Sequence, residues 1–302
     1  PKLLNSVANH VLAYPSAAQL LHEQSALRPR PPIDSLMARV YPALEQALAA
    51  ETPSGIEPGG GLFAQPAWHR AWARHAATAD DRPSIVACGS SARLILPLTV
   101  RGLVARRVAA ANNYFFSALE PVTFGATTEA DFRDLAGGIA SAAAGACEID
   151  LHPLAPDSPL AAIAADSLRR RRWIVSDYFC FHNWFHRVTE ADAESYLAAR
   201  PPEVRSTLRR KAIVAARTEG WRLEVRTDSA SLPQALAAYE TVYRQSWKRI
   251  EPLQPFIRDV CEWAANAGKL RLGLAWAGEA PAAAQIWFVH AGVASIFKLA
   301  YD

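Results

Sequence analysis

The chain has 302 residues, 51% hydrophobic and 20% charged, with a formal net charge of +3. At about 150 residues per domain this length predicts two domains, and the composition excludes a disordered chain. The weak positive balance allows an anionic ligand but does not suggest a dedicated nucleic-acid binder, and no apolar run reaches the roughly 18 residues of a membrane span.

Residues 1–61 read as a helical extension and linker. Val40, Leu44 and Leu48 recur every fourth residue, and Arg28-Pro-Arg-Pro-Pro32 interrupts the segment. Thr52 to Gly61, rich in proline and glycine, is the linker. A first domain is expected over 62–175. Its elements are a helix from Leu62 to Ala77, strands at Ser84–Cys88, Ala92–Val100 and Val104–Ala110, a helix at Glu129–Ala146, a strand at Glu148–Leu151 and a helix at Pro159–Arg171.

A second domain is expected over 176–302. Trp184–Val188 reads as a strand and Glu190–Ala199 as a short helix. Pro201-Pro202 opens a helix reaching about Glu219, where Gly220 supplies a C-terminal cap. A strand at Arg222–Arg226 and helices at Ser231–Arg249 and Pro255–Ala267 follow. Leu270–Trp276, Ala282–His290 and Ala294–Tyr301 close the chain as an antiparallel meander with turns at Gly278 and Gly292. Both blocks place helices before adjacent strands, so a duplicated α/β plan is expected.

Several stretches resemble the CelD-like (cellulose-biosynthesis-associated) acyltransferases of the GNAT superfamily. They are Arg205-Ser-Thr-Leu-Arg-Arg-Lys211 followed by Gly220, Ser246-Trp247-Lys248, Gly268-Lys-Leu-Arg-Leu272, Ala282-Ala-Ala-Gln-Ile-Trp-Phe-Val-His290, and Phe297-Lys-Leu-Ala-Tyr-Asp302. Phe63 to Trp72 and Leu94-Ile-Leu-Pro-Leu98 resemble the family's N-terminal half. The resemblance spans roughly 62–302. It implies α/β (α+β) architecture: two tandem GNAT-like domains in the manner of FemAB aminoacyltransferases, each a largely antiparallel sheet flanked by helices. It implies acyl transfer from acetyl-CoA or another acyl-CoA to an amine or hydroxyl, with a polysaccharide or cell-envelope precursor as acceptor. GNAT enzymes cradle the CoA pyrophosphate on a loop before a helix N-terminus. The chain stops at Asp302, where that loop would begin, so the second domain is expected to be incomplete. The alternatives are a FemAB-like transferase using aminoacyl-tRNA, and a non-catalytic GNAT-fold binding module.

The last hairpin supplies most candidates. With a two-residue turn at Ala291-Gly292, Gln285 is expected to face Lys298 and Trp287 to face Ile296. Lys298 in an apolar strand either anchors an anionic group or acyl carbonyl, or its tip escapes to solvent or pairs with a carboxylate. Tyr301 and Asp302 end the strand. Tyr301 suits a general acid to a departing thiolate, and Asp302 a base or orienter. Trp247 could floor a sugar or acyl pocket. Arg205 and Arg209 share a helix face near Lys211, and this basic group suits a phosphate or anionic precursor or is simply solvated.

No metal is expected, because His182 and His186 lack a ligand-like setting. Gly59-Gly-Gly61 lacks the Lys-Ser/Thr of a phosphate loop. The four cysteines are far apart and no signal-peptide pattern is present, which suggests a reduced, cytoplasmic protein with no membrane span and no nucleic-acid partner.

Overall fold

The computed structural model describes residues 4–15, 38–89, 91–111, 117–155, 157–249 and 251–301. The chain is a mixed α/β protein that divides into two compact units. One is Ser6–Asn183; the other is Trp184–Asp302 together with Pro1–Asn5.

Strands β1 (Leu4–Pro15), β2 (Arg39–Tyr41), β3 (Arg82–Cys88), β4 (Arg93–Arg101), β5 (Arg107–Ala110), β6 (Val122–Phe124), β7 (Glu148–Leu154) and β8 (Trp173–Phe185) form one sheet, which belongs to the first unit but for the first two residues of β1 and the last two of β8. The order is β2-β3-β4-β5-β7-β1-β8, with β6 also paired to β4. β5 and β7 run parallel, while β3–β4, β4–β5 and β1–β7 are antiparallel. Helices α1 (Leu44–Glu51), α2 (Pro66–His75), α3 (Glu129–Ala142) and α4 (Pro159–Arg170) complete it. β4 shows why the sheet is an interior layer. Leu94, Leu96 and Leu98 join a core with Leu135 and Ile139 of α3 and Leu160 and Leu168 of α4. Ile95 joins a second core with Leu44 and Leu48 of α1. Alternate residues thus bury both faces, which explains the nearly unbroken apolar run.

The helical reading of residues 1–50 is corrected. Leu4–Pro15 is a strand, Arg39–Tyr41 is another, and Leu44–Glu51 is a helix; residues 16–37 lie outside the described residues. β1 sits between β7 and β8, and pairs such as Leu12↔Asp150 occupy its backbone groups. That long-range pairing outweighs local propensity. The expected strand at Val104–Ala110 starts later, at Arg107, because Val104 is 98% exposed in a turn beginning at Gly102.

α2 buries His69, and among the described residues neither ring nitrogen has a well-formed hydrogen bond. Burial pushes the imidazole pKa from 6.5 down to about 4, while the Phe63 backbone pulls the other way. A depressed histidine pKa means that the unfolded chain binds the proton first. Stability is therefore full above pH 6.5 and falls as the pH drops towards 4, by about 3 kcal/mol in all. Urea titrations at pH 7 and pH 4 should show this loss, and His69→Leu should remove that part of the pH dependence.

The second unit contains α5 (Ala193–Ala198), α6 (Pro202–Arg217), β9 (Trp221–Arg226), α7 (Leu232–Gln245), α8 (Gln254–Asn266), β10 (Leu270–Ala277), β11 (Ala280–His290) and β12 (Val293–Tyr301). Its sheet is fully antiparallel, in the order β12-β11-β10-β9. α7 packs on β10, β11 and β12, and α8 packs on β10 and α7. The inner face is apolar: Leu270, Leu272 and Leu274 lie opposite Phe288, Ile286 and Ala284. Leu232, Leu236 and Val242 of α7 and Phe256, Val260 and Cys261 of α8 are buried with them. The turn between β11 and β12 is the expected two-residue one. Ala291 (φ 49) and Gly292 (φ 75) both have the positive φ of a type I′ turn, closed by the pair His290↔Val293.

Candidate functional site

Opposed residues on neighbouring antiparallel strands share a face, so the register fixes which side chains meet. From the turn inward β11 and β12 pair as expected down to Trp287↔Ile296. A bulge then intervenes, and beyond it Ile286 faces Lys298, Gln285 faces Leu299 and Ala283 faces Tyr301. The expected pairing of Gln285 with Lys298 is therefore wrong. Phe297 is the extra residue; it is 8% exposed and its ring lies 5.3 Å from that of Phe288. Burying this ring on the helix-covered side takes Lys298 to that side as well, opposite buried Ile286. The candidates consequently separate into two groups.

Gln285, Trp287 and Tyr301 share the outer face, away from α7 and α8. The indole Nε1–H of Trp287 donates to Gln285 Oε1 at 2.9 Å. An indole is a donor only, so this bond fixes the amide orientation and leaves the Gln285 Nε2 hydrogens for another acceptor. Gln285 lies opposite Gly273 of β10, which in turn lies opposite Val225 of β9. Ala283 lies opposite Ala275, which lies opposite Leu223. Gly273 and Ala275 of β10 and Ala283 of β11 thus form a strip of small residues in the middle of this face. Trp287 and Arg271 stand at one end; Tyr301, 51% exposed, and Leu223, 72% exposed, stand at the other. A Cβ built on Gly273 would meet only the Gln285 carbonyl oxygen, 4.0 Å away. Packing does not demand glycine there. The missing side chain opens the strip.

Lys298 occupies the second group. Its Nζ lies 2.5 Å from Glu251 Oε2, with side-chain exposures of 11% and 4%. The backbone N–H of Leu253 donates to the other Glu251 oxygen at 3.2 Å. Burial, and then the charge of Lys298, pushes the Lys248 ammonium pKa down. Burial, and then the charge of Glu251, pushes the Tyr243 phenol up. Lys298 thus takes the carboxylate-paired option. Trp247 is 75% exposed, so it does not floor an enclosed pocket; Lys248 Nζ lies 5.7 Å from its ring centre. Sequence reasoning missed Glu251, which lies 47 residues before its partner.

Arg205, Arg209 and Lys211 are on α6, a helix with no buried residue. Among the described residues they make no hydrogen bond or ion pair, and they join neither group. Asp302 lies outside the described residues. Among those described, no cluster of three or more His, Cys, Asp or Glu could hold a metal ion, and no helix is long and apolar enough to cross a membrane.

Residues 202–302 match a family described as the acetyltransferase (GNAT) domain. No curated protein matches the chain.

Proposed function

We propose that the second unit transfers an acyl group from acyl-CoA to an amine or hydroxyl, with donor and acceptor meeting on the outer face of its sheet. The observation that carries this reading is the match of residues 202–302 to a GNAT acetyltransferase domain, a class that takes acyl-CoA as co-substrate. The small-residue strip beside an oriented Gln285 amide supports its location.

In the proposed reaction the acceptor lone pair attacks the thioester carbonyl carbon. Charge gathers on the carbonyl oxygen, where Gln285 Nε2 donates a hydrogen bond. The C–S bond then breaks and the CoA thiolate takes a proton from the Tyr301 hydroxyl, which regains one as the acceptor nitrogen or oxygen releases its own. No covalent enzyme intermediate is needed, and most of the acceleration comes from positioning. Glu251 and Lys298 act as a positioning pair that holds β12 against the loop after α7. The CelD-like resemblance narrows the acceptor to a polysaccharide or cell-envelope precursor.

The test measures free CoA thiol with acetyl-CoA and a panel of amino-sugar, amine and hydroxyl acceptors. Release that depends on an acceptor is expected. Activity only with aminoacyl-tRNA would replace this reading with the FemAB-like one, and no turnover with either donor would leave a binding module.

A further inference from the structure

α6 has no role in the proposed reaction, yet it is the most highly charged element of the second unit. Its 16 residues carry Arg205, Arg209, Arg210, Lys211 and Arg217 against a single carboxylate, Glu203. This one helix therefore holds more positive charge than the +3 of the whole chain. None of the five cations has an ion pair or hydrogen bond among the described residues.

The apolar residues of α6 are also uncovered. Val204 is 43% exposed and Leu208 is 47% exposed. At about 3.6 residues per turn, Val204, Leu208, Ala212 and Ala215 fall on one stripe. Lys211 borders that stripe on one side and Arg205, with Arg209 next to it, on the other, while Arg210 and Arg217 lie on the opposite side of the helix. Ile213 and Val214 fall outside the stripe.

We propose that α6 is a peripheral docking helix for an anionic lipid bilayer, lying in the plane of the headgroups. Charge complementarity selects the partner class: five unpaired cations call for a densely anionic surface. The aliphatic stripe then selects lipid over nucleic acid. A phosphodiester backbone offers nothing for Val204 and Leu208 to enter, whereas a bilayer interface accepts the stripe. Lys211 and Arg205, at its borders, can lay their stems along the apolar boundary and raise their heads to the phosphates. The stripe is narrow and made largely of alanine, so attachment depends on charge and is reversible. This inference is independent of the acyl-transfer reading.

The test is co-sedimentation of the full chain with phosphatidylcholine vesicles, with and without phosphatidylserine. Binding is expected only with phosphatidylserine, and high salt should weaken it. Arg205→Ala/Arg209→Ala/Lys211→Ala should reduce partitioning roughly tenfold or more. Val204→Ser/Leu208→Ser keeps every charge and should still reduce it several-fold. All these positions are exposed, so the fold is unaffected, and circular dichroism checks this. Absence of phosphatidylserine-dependent binding overturns the proposal. It is equally overturned if the serine variant binds vesicles like the parent, or if single-stranded RNA binds the chain in preference to vesicles: the helix then reads negative charge without the bilayer.

Discussion

Gly273→Leu should leave the fold intact and lower acyl transfer by about 100-fold or more. The position lies in the interior of β10, where glycine weakens a strand by roughly 0.5–1 kcal/mol relative to alanine. A Cβ there meets nothing nearer than the Gln285 carbonyl oxygen at 4.0 Å. A leucine side chain would stand on the outer face between Gln285 and Val225, the residues opposite Gly273 on its two neighbouring strands. It would fill the strip on which the acyl donor is proposed to lie. Thiol release measures the loss, and urea denaturation checks that stability is equal or slightly higher. Full turnover in a folded variant would remove the outer face from the reaction.

The second large effect is on stability. Glu251→Ala should destabilise the second unit by about 3–5 kcal/mol, because it takes the carboxylate away from a buried ammonium. Lys298 is 11% exposed at its side chain, and its charge already disfavours the neighbouring Lys248 ammonium. Without the carboxylate, two cations would face each other in a poorly solvated corner. The double variant Glu251→Leu/Lys298→Met removes both charges and should recover most of the loss, since replacing a buried pair by apolar groups is often neutral. Urea denaturation of the two variants and the parent measures this. A cost below about 1 kcal/mol for Glu251→Ala would show a solvated pair of the surface kind.

The same pair shows where sequence reading reached and where it stopped. The β11–β12 turn was legible because a Gly-containing two-residue turn between alternating runs has few solutions, and Trp287↔Ile296 followed from it. Gln285, Trp287 and Tyr301 were picked out, and the structure brings them to one face. Strict alternation places Lys298 on the face of Gln285 and Trp287, and Tyr301 on the other. Phe297 breaks the alternation because its ring is buried against Phe288, a preference that becomes visible only once α7 and α8 cover the sheet. Glu251 carried no local signal: it became a partner only when the loop after α7 folded back onto β12. Gly273 was unremarkable in sequence, since a glycine that opens a surface and one that permits a turn look alike. β1 failed for a related reason, because its strand exists through pairing with residues more than a hundred positions away.

A calorimetric titration of the full chain and of Gly273→Leu with acetyl-CoA bears most directly on the outer face as the donor site. The expected result is saturable binding in the micromolar range by the parent and none by the variant. Absence of saturable binding by the parent, or equal binding by both, would contradict it.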